Sequence, residues 1–253
     1  MSTIYGKFMD SRFSRWLIPK FIRKYQIELT ECEKKIYEFQ NFNDFFYRKL
    51  VAHSRSIDSS SDTIISPADG KILVYHNISD HQTFNIKNNY FDIAKILEYN
   101  EIVKKYNNSS LAIIRLSPLD YHRFHFPLAG LPGTTQEITG KYYSVSPLAL
   151  FYKPQIFNEN HRTFCEIDNH LLGNFLFVEV GATFVGSIKQ TYSPLHEVYK
   201  GEEKGYFKFG GSTIILIFPH KTIEFDDDLV KNTSLNLETY IRMGERIGKI
   251  KKN

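Results

Sequence analysis

The spacing of apolar and polar positions changes near residue 55. Before that point apolar residues recur at helical spacing. Phe8, Met9, Phe13, Trp16 and Leu17 share one face, with Arg12 and Arg15 between them. This predicts an amphipathic helical segment over 5–25, interrupted near Pro19, where proline removes a backbone donor and crowds the preceding turn. A second helix is expected over 31–39. A third, starting near Asn43, would place Phe45, Phe46 and Leu50 on one face. After a polar loop at 56–61, short apolar runs alternate with Gly, Pro and Asn. The runs at 72–75, 111–116, 175–180, 184–188 and 213–218 predict strands. Those at 93–98 and 237–247 predict helices. The expected fold is α+β and mainly antiparallel β, a sandwich- or barrel-like body over 56–253 carrying a helical N-terminal arm over 1–55. No repeat of fixed period interrupts it.

Composition adds two constraints. Over 253 residues, 42% hydrophobic and 24% charged residues describe a folded globular chain and exclude a disordered one. The 21 Phe and 16 Tyr favour strand-rich packing. Cys32 and Cys165 are too far apart in sequence for a metal-type pair, and with no secretory signal a reducing compartment is expected. No apolar run approaches the roughly 20 residues that span a bilayer.

Charge is informative by position. Lys7, Arg12, Arg15, Lys20, Arg23 and Lys24 stand against Asp10 alone, whereas the whole chain carries only +4. A basic helix bearing Trp and Phe suits an anionic membrane surface, with Phe13, Trp16 and Leu17 seated among lipids and Arg12 and Arg15 at the headgroups. A helix docked on the protein's own core has the same pattern. Nothing points to a nucleic-acid partner.

Several segments could carry chemistry. Ser66-Pro67-Ala68-Asp69-Gly70 reads as a tight turn into a strand, or as a setting for a buried carboxylate that orients a histidine. In Leu116-Ser117-Pro118-Leu119-Asp120-Tyr121-His122-Arg123-Phe124-His125-Phe126-Pro127, two histidines three apart would point to opposite faces of an extended chain. A zinc reading of that pair lacks a third ligand at suitable spacing. Gly181-Ala182-Thr183-Phe184-Val185-Gly186-Ser187-Ile188 matches neither a phosphate loop nor a nucleophile elbow. Lys200-Gly201-Glu202-Glu203-Lys204-Gly205 reads as a charged surface loop. Gly210-Gly211-Ser212-Thr213 is a turn or bulge before a buried strand, or a site where the Gly211 carbonyl meets the Ser212 hydroxyl.

Together and in this order, these segments resemble the phosphatidylserine decarboxylase proenzymes. The resemblance runs from Tyr5-Gly6-Lys7 through Phe42-Asn43-Asp44-Phe45-Phe46 to Met243-Gly244-Glu245. Gly210 stands where many members carry Leu or Val. The resemblance implies a β-rich fold related to sugar-phosphotransferase carrier domains, and a self-cleavage triad of Asp69, His125 and Ser212. Ser212 would cut the chain after Gly211, leaving a large chain of 1–211 and a small chain of 212–253 capped by a covalent pyruvoyl group. That pyruvate-derived group would form a Schiff base with the substrate amine, with no pyridoxal phosphate and no metal. His122 would return a proton to the substrate. The implied partners are phosphatidylserine and the anionic membrane surface, on the cytoplasmic face of the cell membrane, as a peripheral protein that admits a homodimer. Arg123 and Lys87 are candidates for the lipid phosphate. Two rivals are the same machinery on a soluble amino acid, and a non-catalytic carrier module in which His122 or His125 carries a group. Removing residues 1–25 is expected to cost liposome binding and spare self-cleavage.

Overall fold

A computed structural model of the chain describes residues 2–78, 84–86, 89–91, 93–98, 100–153, 155–182, 187–210 and 212–251. Gly211, Lys87 and the predicted strand residues 184–186 lie outside the described residues.

The helices are α1 (Ser2–Met9), α2 (Leu17–Tyr25), α3 (Phe42–Phe46), α4 (Ile93–Leu97), α5 (Asn100–Lys105), α6 (Pro147–Tyr152), α7 (Ile156–Glu159) and α8 (Asp227–Ser234). Strands run in the order β1 (Thr63–Ile65), β2 (Gly70–Ile78), β3 (Phe84–Ile86), β4 (Asn89–Phe91), β5 (Ser109–Leu116), β6 (Arg123–His125), β7 (Leu131–Pro132) and β8 (Gln136–Ile138). They continue with β9 (Arg162–Asn169), β10 (Gly173–Gly181), β11 (Ile188–Gln190), β12 (Glu203–Phe207), β13 (Ser212–Phe218), β14 (Ile223–Phe225), β15 (Thr239–Ile241) and β16 (Arg246–Ile250).

An eight-stranded antiparallel sheet, ordered β15-β2-β5-β13-β10-β9-β7 with β8 also on β9, forms the centre. The β13 run is apolar without interruption because both faces of the sheet are covered. Ile214, Leu216 and Phe218 enter one core, beside Phe124, Phe126 and Phe207 of the β6–β12 region and Ile64, Phe225 and Ile247 of the β1–β16–β14 sheet. Ile215 and Ile217 enter the other, against Ile93, Ile96 and Leu97 of α4 and Ile156 and Phe157 of α7. A third cluster joins Met9 and Ile18 of the arm to Phe39, Phe42, Phe45 and Phe46.

Most predicted strands are present, and several predicted helices differ. The arm breaks at Asp10–Ser11 and continues through a 3-10 helix, Arg12–Trp16, into α2. Pro19 lies in the first turn of α2, where its missing N–H has no intrahelical acceptor to lose. The helix expected over 31–39 is reduced to a 3-10 turn, Ile36–Glu38, with Cys32 bridged to Leu50. Extended backbone at Lys35 and Phe39 bounds that turn. The α3 helix ends at Phe46, so Leu50 does not share its face. Residues 237–247 form β15, a turn and the start of β16 rather than a helix. Gly244 in that turn has φ +89°, a backbone setting closed to a helix. The true helix there, α8, starts behind Asp226 with Asp227 and Asp228 in its first turn, an N-terminal signal that the apolar spacing did not carry.

Among the described residues, one ion pair sits fully inside the fold. Lys204 of β12 donates to Glu179 of β10, and both side chains have no exposed surface. Thr163 donates to the same carboxylate at 2.7 Å, and Lys204 also donates to Gln190 at 2.9 Å. Removing one partner strands the other charge without water, at a cost of about 3–5 kcal/mol, whereas apolar replacement of both avoids that penalty. Lys204→Met and Glu179→Leu are therefore each expected to lower the chemical-denaturation midpoint sharply. The double variant should regain most of the loss, and simply additive losses would contradict this account.

Candidate active site

The end of β5 and the start of β13 bring the predicted segments together. Ser212 pairs with Leu116 on one side and with Gly181 of β10 on the other, so its position is set by two ladders. Its side chain is buried, and Oγ has no hydrogen-bond partner among the described residues. A buried hydroxyl left unpaired is costly, and a catalytic role is one explanation for it; Ser109, Ser187 and Thr213 carry other such hydroxyls.

From Leu116 the chain turns through Ser117–Tyr121. The Asp120 carboxylate accepts the Ser117 N–H at 2.6 Å, and burial raises its pKa. The turn delivers His122 beneath Phe46, with ring centroids 3.9 Å apart. His122 Nδ1 lies 2.8 Å from the Asp120 carbonyl, an oxygen that can only accept, so Nδ1 carries the proton. Nε2 then presents a lone pair with no partner among the described residues. Burial pushes the His122 pKa down to about 3, opposed by the Asp120 hydrogen bond. The imidazole is neutral.

His125, three residues on, has a separate set of partners. Its Nδ1 donates to the Gly201 carbonyl at 2.9 Å, leaving Nε2 to accept from the Tyr121 hydroxyl at 3.1 Å. Gly201 adopts φ +83°, and its own N–H bonds the Phe126 carbonyl. The charged loop at 200–205 thus does more than face solvent, because it sets the tautomer of His125. Burial lowers the His125 pKa, while the Gly201 hydrogen bond and the charges of Glu203 and Asp69 oppose that shift.

Asp69 lies in the predicted turn, anchored where the Pro67 carbonyl accepts the His125 N–H at 2.8 Å. Its carboxylate is not hydrogen-bonded to His125. Arg55 takes both oxygens, at 3.0 and 2.6 Å, and the Met243 N–H adds a third bond at 2.8 Å. A buried carboxylate gains most from a bidentate guanidinium, which accounts for that choice. Arg55 and Tyr121 are the neighbours that sequence reasoning missed. Tyr121 lay inside a motif already singled out, but Arg55 had no local signal.

The segment before Ser212 is held by the arm. The buried Asn43 side chain accepts from the Phe209 N–H at 2.8 Å and donates to Asp10 at 2.9 Å. Lys208 closes the group on Asp10 at 2.8 Å, and the Phe207 N–H bonds the His122 carbonyl. Phe209 stacks edge-on against Phe42 and Phe46, at 4.9 and 5.0 Å. Truncation at residue 25 would remove Asp10, Ser14 and Ile18 from this assembly, so it does not isolate a membrane role. Arg123 is also committed elsewhere, to the Tyr47 carbonyl and both oxygens of Glu203. It is not free for a phosphate. No group of metal-binding side chains occurs among the described residues.

The family model for phosphatidylserine decarboxylase matches residues 42–249, a span that contains every one of these groups except the arm. A phosphatidylserine decarboxylase proenzyme of Clostridium botulinum is 44% identical over 247 residues, covering 98% of this chain and 84% of the relative. The proteins of the same name in Desulfitobacterium hafniense and Clostridium tetani are 44% and 43% identical, again over 98% of this chain. Agreement across nearly the full length, with Asp69, His122, His125 and Ser212 all inside the matched region, places this chain in the phosphatidylserine decarboxylase family.

Proposed function

We propose that this chain is a self-processing decarboxylase that converts phosphatidylserine to phosphatidylethanolamine and carbon dioxide, using a pyruvoyl group made from Ser212. The observation that carries this reading is the buried, unpartnered Ser212 Oγ at the head of a strand fixed on both sides. In the first stage Oγ adds to the Gly211 carbonyl carbon. The C–N bond to Ser212 breaks, leaving an ester and a free amine. Loss of the Ser212 α-hydrogen then expels Gly211 as a carboxylate, and water converts the dehydroalanine to a ketone with release of ammonia.

His125 is the base suited to that first step, since its Nε2 holds the lone pair. Tyr121 occupies that lone pair, so the serine proton must pass through the phenol or displace it. Asp69, clamped by Arg55, supplies fixed negative charge nearby rather than a direct bond to the ring.

In the mature enzyme the pyruvoyl carbonyl supplies an electron sink for the bond that releases carbon dioxide. The unpartnered Nε2 of His122 is the site's candidate for handing a proton to the substrate α-carbon. Burial keeps the ring neutral in the uncut chain, so the donor form has to be made as the substrate enters. The large chain (1–211) and small chain (212–253) remain partners, since β13 lies between β5 and β10. The arm over 1–55 serves as the membrane-docking unit and 56–253 as the catalytic unit, on the cytoplasmic face of the cell membrane. No described helix is long and apolar enough to cross a membrane. Phe13 and Trp16 are 80% and 55% exposed, while Met9 and Ile18 face inward, so the arm can be docked and still offer aromatics to lipid. That exposure favours a lipid over a soluble amino acid.

Purified protein should run as two chains on a denaturing gel, the smaller starting at position 212 and blocked to Edman sequencing. A single full-length chain under active conditions would refute the proposal. Ser212→Ala should stay whole and lose no stability, because Oγ makes no described bond. His122→Asn keeps a donor for the Asp120 carbonyl but removes Nε2. It should cut normally yet release carbon dioxide at least ~100-fold more slowly, and an uncut His122→Asn chain would reassign the residue to cleavage.

The same histidine makes a prediction about pH. Its folded pKa of about 3 lies below the ordinary 6.5, so the unfolded chain binds the extra proton between those values. Stability is full above pH 6.5 and falls as the pH drops towards 3, with a slope approaching ~1.4 kcal/mol per pH unit for this group. His122→Asn should flatten that acid limb in urea titrations. An unchanged slope would place the ring in water.

Phe13→Ser with Trp16→Ser should lower sedimentation with phosphatidylserine vesicles at least ~10-fold, in line with loss of two interfacial aromatics, while cleavage continues. Unchanged sedimentation would remove the arm from membrane docking.

A further inference from the structure

A second exposed apolar element lies outside the arm, in α6. In α6, Leu148, Phe151 and Tyr152 are 69%, 57% and 77% exposed. Their spacing of three and four puts them on one helical face. A single exposed leucine is ordinary, but three large apolar side chains on one short helix face are not. The segment is anchored at both ends. Val145 before the helix and Ile156 and Phe157 after it are buried in the core beneath the sheet.

A buried asparagine ties this segment to the reactive end of the sheet. Asn160 accepts from the Tyr143 N–H at 2.9 Å, and donates to the carbonyls of Tyr143 at 2.8 Å and Gly181 at 2.9 Å. Gly181 is the register partner of Ser212. The arm reaches the same end of β13 through Asn43 and Phe209. Two segments with exposed aromatics are thus linked by hydrogen bonds to the strand ends at one serine.

We infer that α6 is a second lipid-inserting edge, which seats Leu148, Phe151 and Tyr152 among the acyl chains of an anionic bilayer so that the Ser212 end of the sheet faces the headgroups. Two observations select a bilayer as the occupant. Lys141 and Lys153 bracket the helix against Glu159 alone, with both ammonium groups over the Tyr143 ring, at 5.5 and 4.1 Å. Apolar residues between lysines match the headgroup boundary, where aromatic bodies are buried and charged tips stay wet. The patch is also small. Three partly exposed side chains, each of roughly 150–250 Å² at most, fall short of the ~800 Å² per partner of a stable protein interface. The choice of phosphatidylserine as the lipid rests on the proposed function, whereas insertion itself does not.

The chain's single tryptophan, Trp16, makes a direct test possible. Phe151→Trp in a Trp16→Phe background places the sole indole on α6. Vesicles of phosphatidylglycerol in phosphatidylcholine, which contain no substrate, should shift its emission to the blue and shield it from acrylamide. The triple variant Leu148→Gln, Phe151→Gln, Tyr152→Gln should partition onto those vesicles at least tenfold less while its purified form stays folded and cut. An indole that remains quenched and unshifted would overturn the inference. So would a triple variant that binds vesicles normally but loses a dimer in light scattering, which would assign the face to a second copy. Cleavage is read on the same samples by gel. An uncut chain with a shifted indole would refute the role of Ser212 alone, and a cut chain with an unshifted indole would refute the membrane edge alone.

Discussion

Everything at the candidate site depends on β13 being hydrogen-bonded on both sides. Its register with β5 sets Ser212 opposite Leu116, and its register with β10 sets it opposite Gly181. A one-residue slip would turn every side chain of the strand to the other face. Such a slip is opposed by two separate cores, since Ile214, Leu216 and Phe218 fill one and Ile215 and Ile217 the other. The proposed attack of the Ser212 hydroxyl on the carbonyl just before it needs this rigidity downstream. Upstream, Asn43 and Asp10 hold Phe209 and Lys208. The bond proposed to react therefore lies between two restrained flanks.

The same arrangement explains why polar groups here can remain unpaired. Ser212 Oγ and His122 Nε2 are buried without described partners. Phe46 covers the His122 ring, and the Asp120 carbonyl fixes its orientation. Packing energy elsewhere in the two cores offsets the cost of these orphans.

How far the sequence could be read follows from the range of the interactions involved. Runs such as 111–116 and 213–218 are legible because burial on both faces leaves a continuous apolar stretch. The candidate residues Asp69, His122, His125 and Ser212 were proposed because their segments, taken together and in order, resemble those of the phosphatidylserine decarboxylase proenzymes; each segment alone reads as a turn, strand or loop. The helix expected over 237–247 failed because Leu237, Ile241 and Ile247 happen to fall near helical spacing. There Ile241 is buried on the edge of the large sheet and Ile247 in a small one. Arg55 was invisible for a different reason. Its role comes from a contact with Asp69 across a turn, supported by Glu31, and no local pattern announces such a contact.

The position of Arg55 also changes how the triad must be understood. A carboxylate bonded directly to the histidine would stabilise the imidazolium at once. Here the guanidinium takes both oxygens, and the Gly201 carbonyl does the orienting. His125 is then a weaker base in the intact chain than in a fully connected triad, because a neutral carbonyl stabilises its protonated form less than a carboxylate does. For the proposed cut, which each molecule would make once, a modest base is sufficient. Slow cutting would leave time for the ladders on both sides of β13 to form before the backbone at Ser212 is broken.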